Sequence, residues 1–169
     1  MNMWSKIEKI IDIISEVFGR IGWIIILYAM FFGVSDVFLR YVLNDPSLWI
    51  STTVQVAMVL LACVGGVYAL NDNAFVKLDL FYANFSARKK AICDIITSVY
   101  TFLFLGVLIW KGYTAAKLSV MLNQMTPTSI PIPIYPLKIF IPIAAVVMLM
   151  VVIKKLVQDI GTVVTGEKR

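Results

Sequence analysis

The chain has 169 residues, of which 60% are hydrophobic and only 15% are charged, and its mean hydropathy is +0.89. A water-soluble protein of this size has too little interior to hide so much apolar side chain. The composition therefore excludes a soluble globular domain and a disordered chain, and it predicts an all-α integral membrane protein. The net charge of +5 suits contact with anionic membrane lipids, and nothing in the sequence indicates nucleic acid as a partner.

Catalytic and cofactor sites have little support in the sequence. It contains no histidine, which removes the common haem and metal ligand and the usual general base near neutral pH. It also lacks a phosphate-binding glycine loop, a nucleophile–base pair and a metal-ligand spacing. We therefore expect neither an enzyme nor a cofactor bound by this chain.

Residues 1–19 predict an amphipathic helix, because apolar side chains recur every three or four positions on one face. We expect this helix to lie along the cytoplasmic membrane interface or to dock on a partner's helix, with Gly19 as its end. The alternative is a simple extension of the first membrane span. The apolar face consists of Trp4, Ile7, Ile11, Ile14 and Phe18.

Four apolar stretches have about the length of 20 residues that a transmembrane helix needs. They predict a four-helix transmembrane domain over residues 20–155 and leave residues 156–169 as a cytoplasmic tail. A longer third helix would have to tilt or bend near Gly112, and Pro142 predicts a kink or a late start in the fourth. The predicted spans cover about 21–43, 49–70, 92–110 and 135–153.

The basic residues predict the orientation of these spans. Eleven lysine and arginine residues lie in the N-terminal segment, the second loop and the C-terminal tail, whereas two lie in the first and third loops. Because cytoplasmic segments carry the excess of basic residues, we expect both termini to be cytoplasmic.

Charged residues within the first span are functional candidates, since charge inside a membrane is costly. Asp36 and Arg40 are four residues apart and share a helix face. Gln55 is expected at a similar depth in the second span. We expect these three residues to form a structural polar network between the helices. The alternative is an ion or proton relay that uses Asp36.

Two features near the second span predict membrane contact and subunit contact. Trp49 is expected to anchor the span at the membrane interface. Small residues within the span form a smooth surface on which a helix of another subunit can pack closely. These small residues are Ala62, Gly65, Gly66 and Ala69.

Several short segments together resemble the small (Q-type, four-helix) membrane subunit of tripartite ATP-independent periplasmic (TRAP) transporters. The first is Asp36–Tyr41, followed by a short loop and Trp49. The second is the loop that ends at Asp79, and the third is the approach to the last helix from residue 128 to Pro131. The residues that match the family motifs are Arg40, Tyr41, Trp49, Asp79, Pro131 and Pro142.

The resemblance implies a scaffold subunit of a sodium-driven secondary transporter in the bacterial inner membrane. In this family a periplasmic binding protein delivers a carboxylate solute to a large multi-span subunit, which uses the sodium gradient. The chain is most similar to the sialic acid branch. The rival interpretation is a self-sufficient, homo-oligomeric channel or exporter whose pathway is lined by Asp36.

Overall fold

Four long α-helices account for nearly all of the described chain. The computed structural model describes residues 3–72, 74, 87–128 and 130–165. Within these ranges lie α1 (Met3–Tyr41), α2 (Ile50–Asn71), α3 (Ala87–Met121) and α4 (Tyr135–Thr165). Each helix contains a stretch long and apolar enough to cross a membrane. The all-α fold class with four membrane-length helices is therefore confirmed.

The helices form two antiparallel pairs that meet at α2 and α4. α1 packs along α2, and α3 packs along α4. α2 then packs on α4, while the first half of α1 also contacts α4. α1 and α3 consequently lie on opposite sides of the bundle, and the outer face of each is left for lipid or for another protein.

Two clusters of buried apolar side chains hold the pairs together. The first joins Ile11 of α1, Val67 of α2 and Val151 of α4. The second joins α3 to α4. Leu70 and Met148 pack against both clusters, so the interior is continuous. Lipid tails are as apolar as these side chains, and the stabilisation therefore comes mainly from close van der Waals packing.

α1 is one continuous helix, which corrects the predicted end at Gly19. The backbone remains helical through Gly19 and Arg20, so residues 3–19 continue directly into the first span. Gly19 has a packing role instead, because a Cβ at this position would overlap the ring of Tyr68 in α2. At 1.5 Å per residue, α1 is about 58 Å long, roughly twice the thickness of the hydrocarbon core.

α3 is also unbroken, and the bend expected near Gly112 is not a helix break. Gly112 packs against the ring of Pro142, since a Cβ built at Gly112 would lie 3.4 Å from the proline Cβ. The helix ends before Asn123, whose φ is 44°. The Gln124 N–H donates to the carbonyl of Ser119 at 3.0 Å, as in a Schellman cap.

α4 starts where the fourth predicted span starts and extends past the expected end of that span at residue 153. It begins at Tyr135, so Pro142 does not delay it, and Pro136 occupies the first turn, where proline's missing N–H costs no helical bond. The helix continues to Thr165. Residues 156–165 of the predicted tail are therefore helical, and residues 166–169 lie outside the described part of the chain.

Candidate functional site

The charged pair of the first span lies on one face of α1. Arg40 Nη2 donates a hydrogen bond of 3.1 Å to Asp36 Oδ2. The Asp36 side chain is 14% exposed and that of Arg40 is 50% exposed. Asp36 Oδ1 is buried and has no hydrogen-bond partner among the described residues. One carboxylate oxygen of Asp36 is therefore hydrogen-bonded to Arg40, and the other has no hydrogen-bond partner among the described residues.

Gln55 does not join this pair, which corrects its predicted place in the network. Its side chain is exposed, and Asp36 Oδ1 receives no bond from it. Ala57 and Val64 mark the buried face of α2. Gln55 precedes Ala57 by two positions and therefore lies about 160° away around the helix. The sequence placed Gln55 at a suitable depth but could not fix its direction.

Trp49 links the ends of α1 and α2. It immediately precedes α2, and its ring centroid lies 5.7 Å from that of Phe32, with the planes at 62°. Edge-to-face aromatic pairs of this kind add to the apolar contact. Trp49 is 43% exposed, so part of its ring still faces outward. Its role as a membrane-interface anchor stays a prediction.

The small-residue surface of α2 divides into two parts. A Cβ at Gly66 would overlap Met148 Cε, so Gly66 packs against α4 of the same chain. This corrects the expectation that Gly66 faces another subunit. Nothing lies within 4 Å of a Cβ placed at Gly65, and Ala62 is exposed. Ala62 and Gly65, with half-buried Ala69, are the part of the surface left for a partner.

The N-terminal apolar stripe packs largely inside the chain. Ile11 is 7% exposed and Phe18 packs against the same cluster. Ile14 is half-buried and Ile7 is exposed, while the Trp4 side chain lies outside the described part. Ile11 and Phe18 therefore dock on α2 and α4, and the expectation that the stripe docks on a partner or on the interface is wrong for these two residues.

A polar cluster that sequence reasoning missed joins three helices beside the first half of α1. Asn71 Nδ2 of α2 donates to Asp12 Oδ1 of α1 at 3.0 Å. Lys154 Nζ of α4 donates to the same Asp12 oxygen and, at 3.2 Å, to Asn71 Oδ1. One turn further, Gln158 Nε2 donates to Glu8 Oε1 at 3.2 Å. These partners are far apart in sequence, so no local spacing predicts them.

The connection between α3 and α4 forms a small hydrogen-bonded tip. Met125 and Pro133 form an isolated antiparallel bridge, and Thr126 Oγ1 accepts from the Ile132 N–H at 2.9 Å. Lys138 Nζ donates to Gln124 Oε1 at 2.5 Å. The exposed family-motif residue Pro131 lies in this tip, whereas Asp79 falls outside the described residues.

The outer faces of α1 and α3 carry large exposed apolar side chains. On α1 these side chains recur every three or four residues from Ile10 to Phe38. Such faces on membrane-length helices are typical of contact with lipid or with another membrane subunit. Side chains that are 68–71% exposed on these faces include Trp23, Ile24, Phe31, Val34, Tyr100 and Trp110.

The architecture thus defines a multi-pass helical membrane protein with polar contacts near the helix ends and two open apolar sides. The family model of the tripartite ATP-independent periplasmic transporters, DctQ component, matches residues 29–162. The chain belongs to this family of small TRAP transporter membrane components, which is a transporter family and not an enzyme family. No curated protein matches the sequence.

Proposed function

We propose that this chain is a scaffold subunit that holds the large multi-span subunit of its transporter and has no solute pathway of its own. The exposed apolar stripe of α1 carries this proposal. It consists of Ile10, Ile13, Val17, Ile21, Ile24, Phe31 and Phe38, each 40–69% exposed. The stripe extends over about 42 Å, which exceeds the hydrocarbon core of about 30 Å. A subunit packed along α1 covers the full stripe, whereas lipid tails beside an upright helix cover only part of it.

The polar groups of α1 favour a structural role. Asp36 is the acidic residue in the second half of the span, and Arg40 already neutralises it within the same helix. An ion relay needs further acceptors at nearby positions, and the second oxygen of Asp36 has no described partner. We therefore assign a structural role in this part of α1 to the pair, rather than a role in ion movement.

The open part of the α2 surface supplies a second contact. Ala62 and Gly65 present little side chain, so a foreign helix can approach the α2 backbone closely. Gly65 has free space where a Cβ would lie. We assign this patch to a helix of the large subunit as well.

The finer assignment rests on the family and on the motifs that this chain shares with it. The transporter imports a carboxylate solute, and sialic acid is favoured because the general pattern of the chain is most similar to that branch. A periplasmic binding protein delivers the solute. Sodium binds at the large subunit, and this chain holds no cofactor. The complex lies in the bacterial inner membrane, with both termini of this chain in the cytoplasm.

Purification of the tagged full chain from its native membrane tests the scaffold assignment. We expect a large multi-span protein to copurify in a fixed ratio. Leu27→Ala on the exposed face of α1 should reduce recovery of the large subunit, because the shorter side chain loses packing contacts with the partner helix. Leu103→Ala, on the exposed face of α3, is the matched control and should leave recovery unchanged. Recovery of this chain only as a homo-oligomer would favour the channel interpretation instead.

A further inference from the structure

An apolar groove lies between α3 and α4, apart from the contacts assigned above. Its volume is about 550 Å³, within the range of pockets that hold small ligands. Ile109 and Val120 of α3 and Pro142 and Ile143 of α4 are among its walls. The packing of Gly112 against Pro142 brings the two helices together beside it.

Lys117 is the charged residue that lines this groove. Its side chain is exposed, and none of the described residues forms a hydrogen bond or an ion pair with its ammonium group. Each of the two neighbouring lysines has a described contact of one kind or another. Lys111 Nζ lies 5.2 Å from the ring centroid of Trp110, and Lys138 Nζ donates to Gln124. Among the described residues, Lys117 is therefore the cation at this end of α3 that has no hydrogen bond, ion pair or aromatic contact.

The sequence around the groove leaves this charge uncompensated. From residue 95 to residue 158 the chain contains no aspartate and no glutamate. The lysines at the outer end of the α3–α4 pair consequently face no carboxylate from their own helices. An unneutralised ammonium group beside an apolar groove favours a ligand with an anionic head and an apolar tail.

We propose that this groove binds one anionic phospholipid. An acyl chain lies along the groove between α3 and α4, and the lipid phosphate lies beside Lys117. Lys117 is about one helical turn from the end of α3, where a lipid headgroup would meet a membrane-spanning helix. This site is separate from the α1 stripe, so it does not depend on the scaffold assignment.

Native mass spectrometry of the full chain tests the site. The chain is purified in a mild detergent, stripped of lipid and titrated with phosphatidylglycerol or with phosphatidylcholine. We expect one phosphatidylglycerol to bind more tightly than phosphatidylcholine. Lys117→Gln should weaken phosphatidylglycerol binding about fivefold, the effect of one basic residue near a lipid headgroup. Lys111→Gln is the matched control on the same helix and should change the affinity less than about twofold.

A larger side chain in the groove distinguishes binding of the lipid tail from attraction of the lipid headgroup to surface charge alone. Ile143→Trp, at a half-exposed groove position, should weaken both lipids, and Val146→Phe is a second filler if the first does not fold. Equal losses for Lys111→Gln and Lys117→Gln would overturn the proposal, and so would unchanged lipid binding in a folded filler variant. Displacement of phosphatidylglycerol by inorganic phosphate alone would indicate a simple anion site and would also overturn it.

Discussion

Lys154 of α4 donates a hydrogen bond to Asp12 of α1, although 142 positions separate the two residues in sequence. Asn71 of α2 contacts both side chains. The first half of α1 is therefore fixed to the end of α2 and to the second half of α4. This contact, together with buried Ile11, makes the N-terminal segment part of the bundle.

We predict that Asp12→Ala lowers the melting temperature of the purified chain. Lys154 is only 12% exposed, so loss of the carboxylate leaves a poorly solvated ammonium group with only the Asn71 amide. The expected cost is about 1–3 kcal/mol. Arg20→Ala is the control, because Arg20 and Glu16 form a pair whose side chains are 76% and 62% exposed, and its loss should cost about 0.5 kcal/mol or less. Equal changes in melting temperature would contradict a structural role for the Asp12 contact.

Arg40→Ala should destabilise the chain more than the double variant Asp36→Asn/Arg40→Gln. The single change leaves a largely buried carboxylate without its partner, which costs about 3 kcal/mol. The double change removes both charges, so that neither side chain is left as a buried charge without its partner. Thermal unfolding and the yield of folded protein measure the difference.

The same pair allows a test of the relay alternative. Asp36→Asn in an assembled transporter should retain solute uptake, because the pair is assigned to structure. Abolished uptake with normal assembly would instead assign Asp36 to ion or proton movement.

Two adjacent glycines of α2 should respond differently to the same substitution. Gly66→Leu forces Met148 aside and should destabilise the chain by about 1–3 kcal/mol, with partial recovery on adding Met148→Ala. Gly65→Leu meets open space and should leave the melting temperature nearly unchanged while reducing copurification of the large subunit. A destabilising Gly65→Leu, or a neutral Gly66→Leu, would show that the two faces are assigned the wrong way round.

Length and hydropathy were enough to predict the spans, because a helix of about 20 apolar residues has few alternatives in a protein of this composition. The second span, expected at residues 49–70, is the helix Ile50–Asn71. The direction of each side chain was harder to predict. Predicting the direction of the Gln55 side chain required knowledge of which face of α2 is buried. Predicting the packing role of Gly19 required the position of Tyr68 in another helix. The contact between Asp12 and Lys154 depends on how three helices assemble, and a single sequence carries no local signal for it.

The predicted topology can be tested with single cysteines in a variant that lacks Cys63 and Cys93. Cysteines at exposed Asp45 and Thr128 should react with an impermeant thiol reagent added to intact cells with a permeabilised outer membrane. A cysteine at exposed Lys89 should react only after the inner membrane is opened. This result follows from the excess of basic residues on the cytoplasmic side. Reaction of the Lys89 variant in intact cells would reverse the assigned orientation.

Solute uptake by proteoliposomes tests the scaffold function most directly. The chain alone, under an inward sodium gradient and with N-acetylneuraminate outside, should take up no more solute than empty vesicles. Addition of the large subunit and the binding protein should produce sodium-dependent uptake, and omission of this chain should reduce it. If the full complex moves another carboxylate but not sialic acid, the solute is reassigned and the scaffold function stands. Robust uptake by the isolated chain would contradict the scaffold function.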